Sequence, residues 1–155
     1  MMNMSELMSV GFVFSEDLKN VLLLRKARPA WQSGLLNGIG GHCEHDDLTF
    51  ASTMRRECFE EAGLDIPVDK WVMFAQLYDF NEGDWMVVAF CAIAPYLDLE
   101  HAVKFTKDKD ERIEIISVDS LQVQDRILSN ARWLVPMAID KLSNPRTFKM
   151  GDIRY

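Results

Sequence analysis

Positive charge is in short supply. Seventeen Lys and Arg face 24 Asp and Glu in 155 residues, a net charge of −7 with histidine neutral. A surface of that sign repels a nucleic-acid backbone, so a nucleic-acid partner is not expected. A smaller polyanion would have to be handled through metal ions held by the protein's own carboxylates. Cysteine is scarce as well. Cys43, Cys58 and Cys91 are odd in number and lack the spacing of a disulfide framework, which suits a reducing compartment. Eight glycines and five prolines are too few for collagen or a low-complexity linker. The apolar run Trp85–Tyr96 is too short to span a bilayer, and no other run is longer. The opening MMNMSELMSVGFVF lacks a basic leader and a long apolar stretch, so no signal peptide is expected. These absences predict a cytoplasmic chain that does not engage membranes.

What is present is ordinary for a folded protein: 48% hydrophobic and 26% charged residues. The length suits one domain over residues 1–155, with no repeat or linker to divide it. Ser9–Phe14 and Val21–Arg25 are β-branched-rich runs around a polar Ser15–Asn20, a hairpin pattern. A loop carrying Trp31 follows, and then Asn37-Gly38 and Gly40-Gly41 supply two backbone-permissive points. Leu48–Ala62 reads as a helix, with Phe50, Met54 and Cys58 on one face. Asp46 or Asp47 is expected to cap it and Gly63 to end it. Trp71–Phe80 and Trp85–Ala94 form a second strand pair about Asn81–Asp84. Lys104–Glu111 reads as a charged loop, Ile113–Val118 as a strand and Ala131–Leu142 as a helix. The order predicts an α/β fold, a mixed sheet covered on both faces.

One segment carries chemistry. Glu57, Glu60 and Glu61 stand at i, i+3 and i+4, so three carboxylates share one helical face and repel one another. A hard divalent cation such as Mg²⁺, with Mn²⁺ as substitute, relieves that repulsion through oxygen ligands. A solvated acidic face is the plain alternative. It leaves unexplained the Arg56 that begins the cluster, the Gly63 that ends it and the Gly40-Gly41 pair before it. His42, Cys43, Glu44 and His45 lack the second ligand pair of a zinc site, and Lys107–Glu111 lacks the glycine and spacing of a calcium loop.

The segment resembles the Nudix box, G-x5-E-x7-R-E-U-x-E-E-x-G-U with U bulky and aliphatic. Arg56, Glu57, Glu60, Glu61, Gly63 and Leu64 match its second half, with Cys58 in place of an aliphatic residue. The first half departs: counted from Gly41, the glutamate position holds Asp47, and eight residues rather than seven separate it from Arg56. Val21–Arg25, Trp31, Gly34, Asn37 and Glu44 are similar to the strand and loop that enter the box. Ile113–Leu121 is similar to a later strand and turn.

The resemblance implies an α/β/α sandwich and hydrolysis of a nucleoside diphosphate linked to another moiety. It implies metal ligation by Glu57, Glu60, Glu61 and the Gly41 carbonyl, with Arg56 orienting the glutamates. The general base would be a box glutamate or a distal carboxylate such as Asp110 or Glu111, although a solvated loop is the plainer reading of those two. Trp31 is the first candidate to stack a base and Asn37 to read its edge, with Trp85 and Trp133 as alternatives. Met73, Met86 and Met137 are assigned to the core. The preferred substrate is a nucleoside or deoxynucleoside triphosphate, oxidised forms included, cleaved to monophosphate and pyrophosphate by a monomer or homodimer. The alternatives are hydrolysis of ADP-ribose or a nucleoside diphosphate sugar, and a non-catalytic nucleotide-binding module.

Overall fold

The structure is a computed structural model describing residues 6–79, 81, 83–105 and 110–155. Among the described residues eight strands form one mixed sheet: β1 (Leu7–Phe14), β2 (Asn20–Arg25), β3 (Leu36–Asn37), β4 (Ile39–His42), β5 (Val72–Asp79), β6 (Trp85–Ile93), β7 (Arg112–Ser117) and β8 (Gly151–Arg154). Three helices cover it: α1 (Phe50–Ala62), α2 (Tyr96–Lys104) and α3 (Ser129–Ser143). Strand β1 is central. It runs parallel to β6 along its whole length, and its other edge is shared by β4 and β2, both antiparallel. The β1–β2 pair (Val13↔Leu22) and the β5–β6 pair (Gln76↔Val88) are the two expected strand pairs.

The alternation along the strands builds two cores. Phe12, Phe14, Val21 and Leu23 pack with Ala131, Leu134, Val135 and Ala138 of α3. Val13, Leu22 and Leu24 point the other way, to Met54, Cys58 and Ala62 of α1 and Leu99 and Ala102 of α2. Successive side chains on a strand face opposite sides, so an unbroken apolar strand must be covered twice. This is the α/β/α sandwich.

Several expectations need correction. The cap of α1 is neither Asp46 nor Asp47. It is Thr49, whose hydroxyl accepts from the Ser52 amide at 3.0 Å, and the helix therefore starts at Phe50 rather than Leu48. Gly63 does end α1, at φ 68°. Helix α2 escapes the pattern because only Leu99 and Ala102 are buried while Leu97 and Val103 face solvent. Met73 is 45% exposed, turned outward at a register shift in β5, and is not a core residue. Met86 and Met137 are part-buried against the cores. In the charged loop, residues 106–109 lie outside the described residues, as do 80 and 82.

Helix α3 contains Pro136, which has no amide hydrogen for the Arg132 carbonyl four residues earlier. Gln122 Nε2 donates to that carbonyl instead, at 3.2 Å.

Candidate metal and nucleotide site

Two glycines let the helix and the sheet meet. A Cβ on Gly40 would stand 2.0 Å from the Ser9 carbonyl oxygen, so only glycine allows β4 to lie so close on β1. A Cβ on Gly41 would stand 2.5 Å from Glu57 Oε1. The Glu57 carboxylate therefore rests on bare backbone, and β4 lines the face of α1 that carries the acidic cluster. Gly41→Ala is expected to fold, because the clashing atom ends a flexible side chain. It displaces that carboxylate, and misplacement on the order of 1 Å can cost about 10²-fold in turnover. Paired melting and kinetic measurements on this variant check the expectation.

Arg56 is the hub of the cluster. Nε donates to Asp47 Oδ1 at 3.2 Å and Nη2 to Asp47 Oδ2 at 2.9 Å, a two-pronged grip. Nη2 also donates to the His42 carbonyl at 3.0 Å, and Nη1 to Glu57 Oε1 at 2.8 Å and Glu60 Oε2 at 3.5 Å. Glu44 Oε1 lies 3.3 Å from Nη1. The hydrogen bonds from Arg56 to Asp47, and then those to Glu57, raise the guanidinium pKa against the opposing effect of burial.

Asp47 is thus an anchor for Arg56 and not a helix cap. Its side chain is 7% exposed, and it also accepts from the Glu44 amide at 2.9 Å and from Thr53 Oγ1 at 3.0 Å. Burial alone would raise its pKa; the bonds from Arg56, Glu44 and Thr53 outweigh that and hold it below the usual carboxylate range. The longer junction before α1 leaves Asp47 within reach of Arg56.

Glu61 is the opposite case. Burial first, and the neighbouring Glu57 carboxylate second, push its pKa to about 9. Its Oε2 is buried without a hydrogen-bond partner. Among the described residues no group of three or more His, Cys, Asp or Glu side chains forms an ion-binding set, and Arg56 holds Glu57 and Glu60. The residues nevertheless fit a divalent cation. An orphaned buried carboxylate oxygen beside a second carboxylate is the donor chemistry that such an ion satisfies.

Glu111 is not a solvated loop residue. It is 13% exposed, accepts from the Ala27 amide at 2.9 Å, and lies 3.5 Å from both Lys26 Nζ and Arg28 Nη2. Lys26 favours the charged form of Glu61 and Glu111 opposes it. Asp110 is exposed.

Beside the cluster lies a cavity of about 550 Å³. Its walls bring together Trp31, Asn37, Lys26, Gly41, Trp85 and Asn130. Trp31 is 69% exposed at the rim. Asn37 Oδ1 accepts from the Gly38 amide at 2.8 Å, which orients its amide group. Trp133 packs on the α3-side core and does not line the cavity. Asn130, in the first turn of α3, escaped the sequence reading: its Oδ1 is buried with no hydrogen-bond partner in a wall of the cavity. Nothing in the residue pattern marks it, since only the packing of α3 brings it there.

Residues 7–137 match the model of the NUDIX domain, and the chain belongs to the Nudix hydrolase family. Among solved structures, a mutT/nudix family protein from Listeria innocua superposes with a TM-score of 0.69 at 19% identity, covering 92% of this chain and 97% of that one. The MutT protein of Bacillus halodurans gives 0.64 at 18% identity over 96% and 89%. The NUDIX domain of Shewanella oneidensis NrtR, crystallised with ADP ribose, gives 0.69 at 13% identity over 90% and 90%. These are likenesses of fold. No curated protein matches the sequence.

Proposed function

We propose that this chain is, as a single domain, a Mg²⁺-dependent pyrophosphohydrolase of nucleoside diphosphates linked to another moiety. Its preferred substrate is a nucleoside or deoxynucleoside triphosphate, oxidised forms included, which water cleaves to monophosphate and pyrophosphate. The observation that carries this reading is the cavity that runs from Trp31, Asn37 and Asn130 to Gly41, against which Glu57 rests. An aromatic and amide-bearing end suits a base, and the end beside the acidic cluster suits a diphosphate and its counter-ions.

Glu57, Glu60, Glu61 and the Gly41 carbonyl would hold the cation, which supplies neutralisation of the diphosphate charge and acidification of water. Arg56, fixed by Asp47, orients Glu57 and Glu60. Lys26, on the cavity wall, adds positive charge for phosphate oxygens. Of the two distal carboxylates, Glu111 is the better placed to assist proton transfer, because its charge already acts on Glu61. Free nucleotides and Mg²⁺ are cytoplasmic solutes, and a net charge of −7 disfavours nucleic acid. No helix among the described residues is long and apolar enough to cross a membrane.

The ADP-ribose bound by the NrtR domain of similar fold keeps a second substrate in the test. A panel of nucleoside triphosphates, ADP-ribose and nucleotide sugars is incubated with the protein and Mg²⁺. Monophosphate and pyrophosphate from a triphosphate support the preferred reading; AMP and ribose 5-phosphate from ADP-ribose replace it. No turnover of any member leaves a binding module. Trp31→Ala is expected to raise KM by an amount worth ~1–3 kcal/mol if a base stacks there, and Asn37→Ala to alter the preference among bases. Unchanged substrate profiles in both variants would remove the base from this loop.

A further inference from the structure

Trp85 opens β6 and lines the cavity. The Trp85 side chain packs on the α3-side core. It is held from two other directions. On one side the indole lies against the backbone of Gly83, where a Cβ would stand 2.3 Å from both Cδ1 and Nε1. On the other side is the Tyr155 ring, with centroids 5.3 Å apart and planes inclined at 55°, the tilted arrangement that aromatic pairs favour. Tyr155 is fixed in turn by main-chain bonds. Strand β8 pairs in parallel with β5, from Ala75↔Gly151 to Tyr78↔Arg154, and the Tyr155 amide donates to the Tyr78 carbonyl at 3.0 Å. Gly151 sits so closely on Met137 of α3 that a Cβ there would stand 2.4 Å from Met137 Cε. A polar four-residue edge strand thus carries one aromatic ring to the back of a cavity-lining tryptophan.

We infer that Tyr155 is a positioning residue for nucleotide binding: it fixes the Trp85 indole as the outer wall of the cavity and so sets affinity for the base-bearing half of the ligand, with no part in hydrolysis. The inference rests on reading the cavity as the nucleotide site. A ring already held in place loses less freedom when a ligand packs on it, and that difference appears as affinity. Residues that act through one another also give non-additive effects when both are changed.

The test uses monophosphates, which carry a base but no anhydride to cleave. Binding of dGMP and AMP, with ribose 5-phosphate as the base-free control, is measured by calorimetry on the full chain. Tyr155→Ala is expected to weaken dGMP or AMP by about three- to tenfold, the size of one aromatic pair, to leave ribose 5-phosphate unchanged, and to remain folded. Tyr155→Phe keeps the ring and is expected to bind as the parent does. In a Trp85→Ala background, Tyr155→Ala should add nothing. Parent-like binding by Tyr155→Ala, an equal loss for ribose 5-phosphate, or a full additive loss without Trp85 would each overturn the inference. If the parent binds neither monophosphate, the nucleotide reading of the cavity falls and takes this inference with it. If the parent binds and Trp85→Ala weakens it while Tyr155→Ala does not, the cavity reading stands and this inference alone fails.

Discussion

Glu61→Gln is expected to lower kcat by about 10²–10³-fold while raising the stability of the metal-free protein. On the proposed function, the turnover loss follows from removing a charge where the cation that neutralises the diphosphate would bind, an electrostatic contribution of that usual size. The gain in stability follows from burial. Glu61 has a pKa of about 9 in the folded chain against an ordinary 4.5, and its Oε2 has no partner. A carboxyl whose pKa is raised by folding supports the fold fully below about pH 4.5. That support is lost as pH climbs towards 9, because the unfolded chain releases the proton first. The metal-free parent should therefore lose melting temperature over that interval. Glu61→Gln, which has nothing to titrate there, should be flatter.

Mg²⁺ or Mn²⁺ should restore the parent at high pH, since a ligand that binds only the folded state stabilises it by mass action. Glu60→Gln should share the kcat loss. Its effect on metal-free melting should be smaller, because the Glu60 side chain is 44% exposed. Melting curves across pH with and without cation, together with kcat for both variants, check all of this. Near-normal turnover and no cation-dependent melting shift would remove the cation from the acidic cluster and leave it a structural feature.

Asp47→Ala is expected to damage both stability and turnover, for a different reason. It removes the two-pronged acceptor of a part-buried guanidinium, the acceptor of the Glu44 amide, and one of two partners of the Thr53 hydroxyl, which keeps Cys43 Sγ at 3.3 Å. Losing a charge-assisted bond of this kind costs about 1.5–3 kcal/mol. Arg56, released from Asp47, no longer holds Glu57 and Glu60 at fixed positions, so kcat should fall with stability. Asp47→Asn can still accept one bond from Arg56 and should be milder in both respects. If Asp47 merely capped the helix, Asn would replace it without loss, yet Thr49 already fills that role. A variant that lost turnover with melting unchanged would instead put Asp47 in contact with the cation.

The two strand pairs, the helix over α1 and the helix over α3 were legible because their apolar residues repeat at the strand or helix period. Helix α2 and strands β3, β4 and β8 were not. Leu99 and Ala102 are too few to set a period, and the short strands are recruited by main-chain pairing, which leaves little mark on side-chain pattern. The acidic cluster was legible for a related reason. Arg56, Glu57, Glu60, Glu61 and Gly63 lie within one helix and its end, so fixed spacing alone puts them together.

The remainder of the site depends on contacts across the fold. Asp47 reaches Arg56 only because the chain turns between Glu44 and Thr49, and the residues are equally compatible with a helix cap. Glu111 meets Lys26, and Asn130 and Trp85 meet Trp31 around one cavity, from segments far apart in the chain. Side-chain periodicity and local spacing are properties of neighbours in sequence. By itself the sequence determined the sandwich's principal elements and the face that carries the carboxylates. Which groups anchor that face, and which residues close the cavity beside it, was decided only when β4 and β8 joined the sheet and α3 packed against it, because those contacts depend on long-range burial and pairing that no local pattern encodes.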